Sequence, residues 1–105
     1  MTFEEDALLL QAKGDRFREE ADRWIEANPE AWRYMTKQAL ISADGGRRFG
    51  IKALCEVVRW QMRNVQGDTG FKLNNNHSAA FARRLVKEHP EVEPYLSMRG
   101  SVLDL

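Results

Sequence analysis

Apolar residues recur at helical spacing along most of the chain, and the first segment shows this most clearly. Its apolar seam advances in alternating steps of four and three residues, the heptad pattern of a packed helix. The seam consists of Phe3, Ala7, Leu10, Gly14, Phe17, Ala21, Trp24 and Asn28. Thr2 and Glu5 form a capping box, so the pattern predicts one helix over residues 3–27. Because Gly14 lowers helix propensity in mid-segment, two shorter helices are the alternative.

A second helix is predicted from local start and stop signals. Asn28 suits the N-cap and Pro29 the first helical position, and the apolar pattern continues to about Ala43. Gly45-Gly46 then permits the left-handed conformation that ends many helices.

The third helix, predicted from about Arg47 to Val65, carries the best apolar stripe in the chain. The stripe consists of Ile51, Leu54, Cys55, Val58, Met62 and Val65. Trp60 lies opposite this stripe at about 100° per residue. A large apolar residue there predicts a second packing neighbour, and therefore a central helix between others.

The last third of the chain combines a turn-rich stretch with two helical pieces. The alternation from Phe71 to Leu73 leaves open a three-residue strand. Asn76 is predicted to cap a fourth helix from His77 to about His89, and residues 91–98 to form a short helical turn. The predicted fold is all-α: one domain over residues 1–105, a compact bundle of four helices plus that turn, with residues 100–105 as a flexible tail.

Composition places the chain among globular proteins, with 43% hydrophobic and 30% charged residues and one cysteine. The longest apolar runs have four residues, as in Ala7–Leu10, too short for a membrane span. The acidic start MTFEEDALLL differs from the basic start of a signal peptide. We therefore expect a soluble cytoplasmic domain.

Catalytic and metal-binding patterns are weak. Cys55 lies on the core stripe, where a thiol is inert. His77 and His89 fall at opposite ends of one predicted helix, too far apart to share a metal. The sequence contains no GxSxG, HExxH or glycine-rich phosphate loop. We expect no enzymatic activity, no metal and no cofactor.

Charge is unevenly distributed although its total is zero. Residues 1–40 carry a net −3, residues 41–87 a net +6 and residues 88–105 a net −3. Clustered cations suit phosphates, and asparagines suit phosphate or base edges. The candidate nucleic-acid-binding residues are Arg48, Lys52, Arg59 and Arg63 on the third helix, Lys72, Asn74 and Asn75 in the connection, and Arg83, Arg84 and Lys87 on the fourth helix. The competing interpretation is a solvated basic face that pairs with the acidic first helix.

Several strings between residues 46 and 99 resemble a family of small uncharacterised phage and prophage proteins. They are Gly46–Ile51, Phe71–Ala79, Ala82-Arg83, His89-Pro90 and Met98-Arg99, and the run FKLNNNH is the most specific. The resemblance implies a mobile-element origin and a helical fold, and it assigns no activity or site residues.

Two functional hypotheses follow. The first is a phage-type accessory protein that binds DNA or RNA through the basic face of the third and fourth helices. The alternative is a protein-interaction module, such as a phage-encoded inhibitor of a host defence complex. In either case the seam of the first helix leaves open a homodimer.

Overall fold

Four α-helices form most of the computed structural model, which describes the backbone of residues 3–97 and the side chains of residues 13–97. The helices are α1 (Phe3–Ala27), α2 (Pro29–Asp44), α3 (Ile51–Trp60) and α4 (Ser78–Glu88). A π-helical turn, Gln61–Val65, continues α3, and 3-10 helices span Asn75–His77 and Pro90–Tyr95. The predicted all-α fold is confirmed, including a short helical piece after the fourth helix.

The first helix is continuous from Phe3 to Ala27, which decides between the two predicted alternatives. Its 25 residues span roughly 37 Å at 1.5 Å per residue. Among the described residues, no atom outside the helix's own nearby backbone lies within 4 Å of a Cβ atom placed at Gly14. The glycine is therefore tolerated without a packing partner.

The boundaries of α2 follow the predicted signals. Asn28 is the N-cap and Pro29 the first helical residue. The Asn28 side chain does not cap the helix with its oxygen; its amide nitrogen instead donates a hydrogen bond to the preceding Trp24 carbonyl (2.9 Å). At the other end Gly46 adopts a left-handed φ of 68°. The Arg47 amide then bonds the Ser42 carbonyl at 2.9 Å, which closes the helix end.

The third helix begins at Ile51 and not at Arg47, which corrects the predicted start. Phe49–Gly50 forms a short strand, β1, that pairs in parallel with β2, Leu96–Ser97. Since the chain is extended before α3, Arg48 does not lie on this helix, contrary to the prediction. The strands lie at 49–50 and 96–97, whereas residues 71–73 form none.

The outer face of α3 also differs from the prediction. Trp60 is 61% exposed, so among the described residues the expected second packing neighbour does not cover it. The helix nevertheless contacts both α2 and α4. Val65 is 56% exposed, although the stripe predicted it to be buried. The cause is the π-helical turn: its hydrogen bonds reach one residue further, so each residue turns through less than about 100° and Val65 falls out of phase with the stripe.

The core lies where α2, α3 and α4 meet beneath the C-terminal half of α1. Its largest fully buried side chains are Phe81, Met35, Leu85, Val58, Val92 and Cys55. Trp24 of α1 and Trp32 of α2 pack on the Phe81 ring, with centroids 5.1 and 6.0 Å away. This aromatic cluster joins three helices.

No helix within residues 3–97 is long and apolar enough to cross a membrane. The tail predicted at residues 100–105, and residue 98 at the end of the predicted final turn, lie outside the described residues.

Candidate nucleic-acid interface

The segment Phe71–Leu73 is extended but its backbone is held by side chains instead of a strand. Phe71 and Leu73 are buried and Lys72 is exposed, the alternation that had suggested a strand. The Arg63 guanidinium donates to the Phe71 carbonyl through Nε (3.0 Å) and Nη2 (2.8 Å). Trp24 Nε1 donates to the Lys72 carbonyl (2.9 Å), and Arg59 Nη2 donates to the Leu73 carbonyl (3.0 Å). Three successive carbonyls thus accept hydrogen bonds without a neighbouring strand.

Arg59 and Arg63 therefore have a structural role that the sequence did not indicate. They lie one turn apart on the helical segment, and both reach across to the same extended stretch. Arg59 also donates to Asn75 Oδ1 (2.8 Å) and forms an ion pair with Glu56. Because a guanidinium stays protonated in proteins, both side chains keep their positive charge while they hold the segment in place.

These contacts bring α3 and the segment before α4 into one surface, which we call the α3–loop face. It consists of Lys52, Arg59, Trp60, Arg63, Lys72 and Asn75. Lys52 and Lys72 are exposed. Between Arg47 and Asn75 the chain carries six basic and two acidic residues, a net charge of +4. Arg48 is exposed in the stretch before β1.

The asparagines at the end of this segment also have local tasks. Asn74 accepts a hydrogen bond from the Asn76 backbone amide (2.9 Å) and is the N-cap of the 3-10 turn. The predicted capping role of Asn76 was therefore wrong. The 3-10 turn begins at Asn75, two residues before the predicted helix start at His77. The side-chain oxygens of Asn74 and Asn75 thus each accept one hydrogen bond from within the protein.

The basic residues of α4 are in a different electrostatic setting. Arg84 bonds Asp22 of α1 (2.6 Å) and Glu88 of α4 (2.9 Å), and these hydrogen bonds raise the pKa of Arg84. Desolvation opposes ionisation of Glu88, but the hydrogen bonds from Arg84 and Trp32 outweigh it and lower the pKa of Glu88. The interpretation that acidic α1 pairs with the basic face thus holds for Arg84. Arg83 and Lys87 are exposed.

Trp60 is the site residue that sequence reasoning assigned to the interior. It ends α3, and its carbonyl accepts a hydrogen bond from the Asn64 amide (3.1 Å). Val57, one turn earlier, is 45% exposed. The sequence contained one signal for this exposure, namely that Trp60 lies opposite the apolar stripe on a helix with cationic neighbours.

Cys55 and His77 occupy buried positions. Burial raises the pKa of the Cys55 thiol to about 11, which makes it a poor nucleophile. His77 Nε2 lies 2.9 Å from Glu20 Oε2, and its ring packs between Phe17 and Phe81. Residues 3–97 contain no group of three or more His, Cys, Asp and Glu side chains arranged to hold a metal ion.

An open groove of about 1130 Å³ lies along α2, and no residue of the α3–loop face lines it. Its lining includes the apolar side chains of Trp32, Leu40 and Ile41 and the charged side chains of Lys37 and Glu91.

Comparison with protein-family models, with curated proteins and with solved structures found no match. The resemblance to phage proteins and the functional hypotheses therefore stay predictions.

Proposed function

We propose that this protein binds nucleic acid through the α3–loop face. The observation that carries the proposal is the pair of arginines, Arg59 and Arg63, whose hydrogen bonds fix the segment 71–75 beside α3. They make one surface from cations that are distant in sequence. An accessory role of this kind agrees with the resemblance to phage proteins.

The held arginines favour binding because their side chains are already ordered. A flexible cation loses rotamer freedom when it meets a phosphate, whereas Arg59 and Arg63 have lost that freedom on folding. Their charges add to those of the exposed Lys52 and Lys72. Neutralisation of about three to five phosphates would make affinity strongly salt-dependent, because each neutralised phosphate releases condensed counterions.

The proposed interface is smaller than the one expected from the sequence. It keeps the α3 side and the connection, and it omits α4, where Arg84 is paired with two carboxylates, Asp22 and Glu88, whereas Arg59 is paired with one, Glu56. An interface centred on Arg83 and Lys87 is the competing arrangement, since both side chains are exposed on α4.

Two matched double variants test this placement. Lys52→Ala with Lys72→Ala removes two exposed charges from the α3–loop face, and Arg83→Ala with Lys87→Ala removes two from α4. Fluorescence anisotropy with labelled oligonucleotides of about 15 nucleotides, over a salt series, measures affinity and its slope. We expect the first pair to weaken binding and to flatten the log–log slope by roughly one unit for each phosphate that is no longer neutralised, and the second pair to have the smaller effect. A larger effect of the α4 pair, or no binding by the unmodified protein at low salt and micromolar concentration, would refute the proposal.

The groove along α2 favours a second candidate, a protein-interaction module such as an inhibitor of a host defence complex. The lining of the groove combines apolar with charged side chains, the mixture that protein-binding surfaces use. Capture from host lysate with and without nuclease separates the two candidates. Recovery of a discrete protein partner that survives nuclease and is lost in Ile41→Asp would favour this second function.

A further inference from the structure

We propose that Trp60 is a stacking platform for an unpaired base, so that the α3–loop face binds single-stranded nucleic acid in preference to duplex. The inference rests on the function proposed above and names the class of nucleic acid. Three features support it: the solvent exposure of Trp60, the charges near it, and the fact that the bases of a duplex are already stacked on one another.

Trp60 is largely exposed to solvent, and two further apolar side chains on the same helical segment are exposed as well. Its side chain is 61% exposed, and Val57 and Val65 on the same helical segment are 45% and 56% exposed. Of the four large apolar residues exposed among residues 13–97, these are three, and the fourth is Ile41 on α2. A cluster of exposed apolar side chains on a small protein marks a surface that contacts a ligand or partner.

Two of the three charged residues within four positions of Trp60 are cations, Arg59 and Arg63, and the third, Glu56, forms an ion pair with Arg59. Arg63 lies three residues after Trp60, in the π-helical turn that continues α3. Its guanidinium is fixed on the Phe71 carbonyl, and that of Arg59 on Leu73 and Asn75. A base stacked on the indole would therefore have its backbone beside cations that do not need to be ordered. Aromatic rings that alternate with cations are the usual platform for single strands, and base stacking does not depend on sequence.

A duplex cannot use this platform without being opened. Its bases are already stacked and paired, and moving one base out of the stack costs free energy that a single strand does not incur. Trp60 lies on the outer face of a helix and has no surrounding pocket, among the described residues, in which a flipped base would be enclosed. The indole therefore stabilises a complex with a single strand, whereas duplex binding depends on the cations alone.

The test compares an oligo-dT of about 15 nucleotides with a duplex of equal length, both by anisotropy at one low salt concentration. We expect the single strand to bind more tightly, and Trp60→Ala to weaken its binding by about 5- to 150-fold, the effect of losing one stacked base. Trp60→Phe should retain part of the affinity because it keeps an aromatic ring. Ile41→Ala, which removes an apolar side chain of similar exposure from α2, is the matched control and should leave both affinities unchanged.

Tryptophan fluorescence provides a direct signal of stacking. Trp24 and Trp32 lie within or against the core, so quenching by oligo-dT should come from Trp60 and disappear in Trp60→Phe. Equal affinity for both probes, or an equal weakening of both in Trp60→Ala, would overturn the inference and leave the proposed function standing. Binding of neither probe would refute both, and the Trp60 surface would then be assigned to a protein partner.

Discussion

Replacing Arg63 by methionine should loosen the segment Phe71–Leu73 from the body of the protein. Methionine keeps much of the aliphatic length of arginine but removes both donors to the Phe71 carbonyl, at 3.0 and 2.8 Å. That carbonyl belongs to a buried residue, which packs on Trp24 with ring centroids 5.9 Å apart. The substitution therefore separates the hydrogen-bonding role of Arg63 from its bulk.

The expected loss follows from the type of bond. A hydrogen bond that involves a charged group contributes about 1.5–3 kcal/mol. Because Nε and Nη2 share one acceptor, we count them as one interaction of that size and not as two. For a domain of this length each kcal/mol corresponds to about 4–8 °C in melting temperature, so Arg63→Met should lower it by roughly 6–24 °C.

Thermal and chemical denaturation measure this loss, with Arg83→Met as the matched control. Arg83 is exposed on α4, so removal of its charge should change stability by no more than about 0.5 kcal/mol. Limited trypsin digestion adds a local measurement, because cleavage after the exposed Lys72 should accelerate once its neighbours open.

Equal melting temperatures for Arg63→Met and Arg83→Met would contradict this reasoning. That result would mean that water replaces the guanidinium at the Phe71 carbonyl without loss. It would also remove the reason for treating α3 and the segment 71–75 as one surface.

Four further predictions concern stability and assembly. Asn74→Ala should lower the free energy of unfolding by about 1 kcal/mol because it removes the cap, and Asn76→Ala should lower it less. A larger loss in Asn76→Ala, measured by denaturation, would contradict the assignment of the cap to Asn74. The pKa of Cys55 is raised from 9.0 to about 11, so the folded state holds the thiol proton more tightly, and stability on the order of 2–3 kcal/mol should be lost as pH rises through that window. Cys55→Ala should lack this component in denaturation at alkaline pH, and an identical pH profile would contradict it. Gly14→Ala should raise the melting temperature of a monomer, because helix propensity improves by about 1 kcal/mol and a Cβ meets no atom within 4 Å. If α1 forms the homodimer that its heptad seam leaves open, light scattering should show a mass above 12.2 kDa at high protein concentration, and a monomer throughout would exclude the dimer.

The helices themselves follow from signals that lie close together in the sequence. Asn28-Pro29 starts α2, Gly46 ends it, and the seam of α1 spaces its apolar residues over 25 residues. Each of these depends on neighbours within a turn or two. Backbone hydrogen bonds in helices are also local, so a single chain contains enough information to place them.

Whether residues 71–73 form a strand depends on residues that are distant in the sequence. Their inside–outside alternation is that of a strand, and the burial of Phe71 and Leu73 agrees with it. A strand also needs a partner for its carbonyls, and here side chains from residues 24, 59 and 63 take that role. Nothing in the sequence of this segment indicates which groups will satisfy its backbone.

Sequence alone determined that this is a helical protein with a basic middle, because helix signals and residue charges are local properties of the chain. Only the tertiary structure decided which cations share a surface: Arg59 and Arg63 hold the segment before α4, whereas Arg84 is paired with acidic α1. It also decided that Trp60 faces solvent. The sequence pattern shows that Trp60 lies opposite the apolar stripe of its helix, but it does not show whether another element packs on that side. Burial and pairing are sums over residues far apart in the chain, and they exist only once the helices have packed.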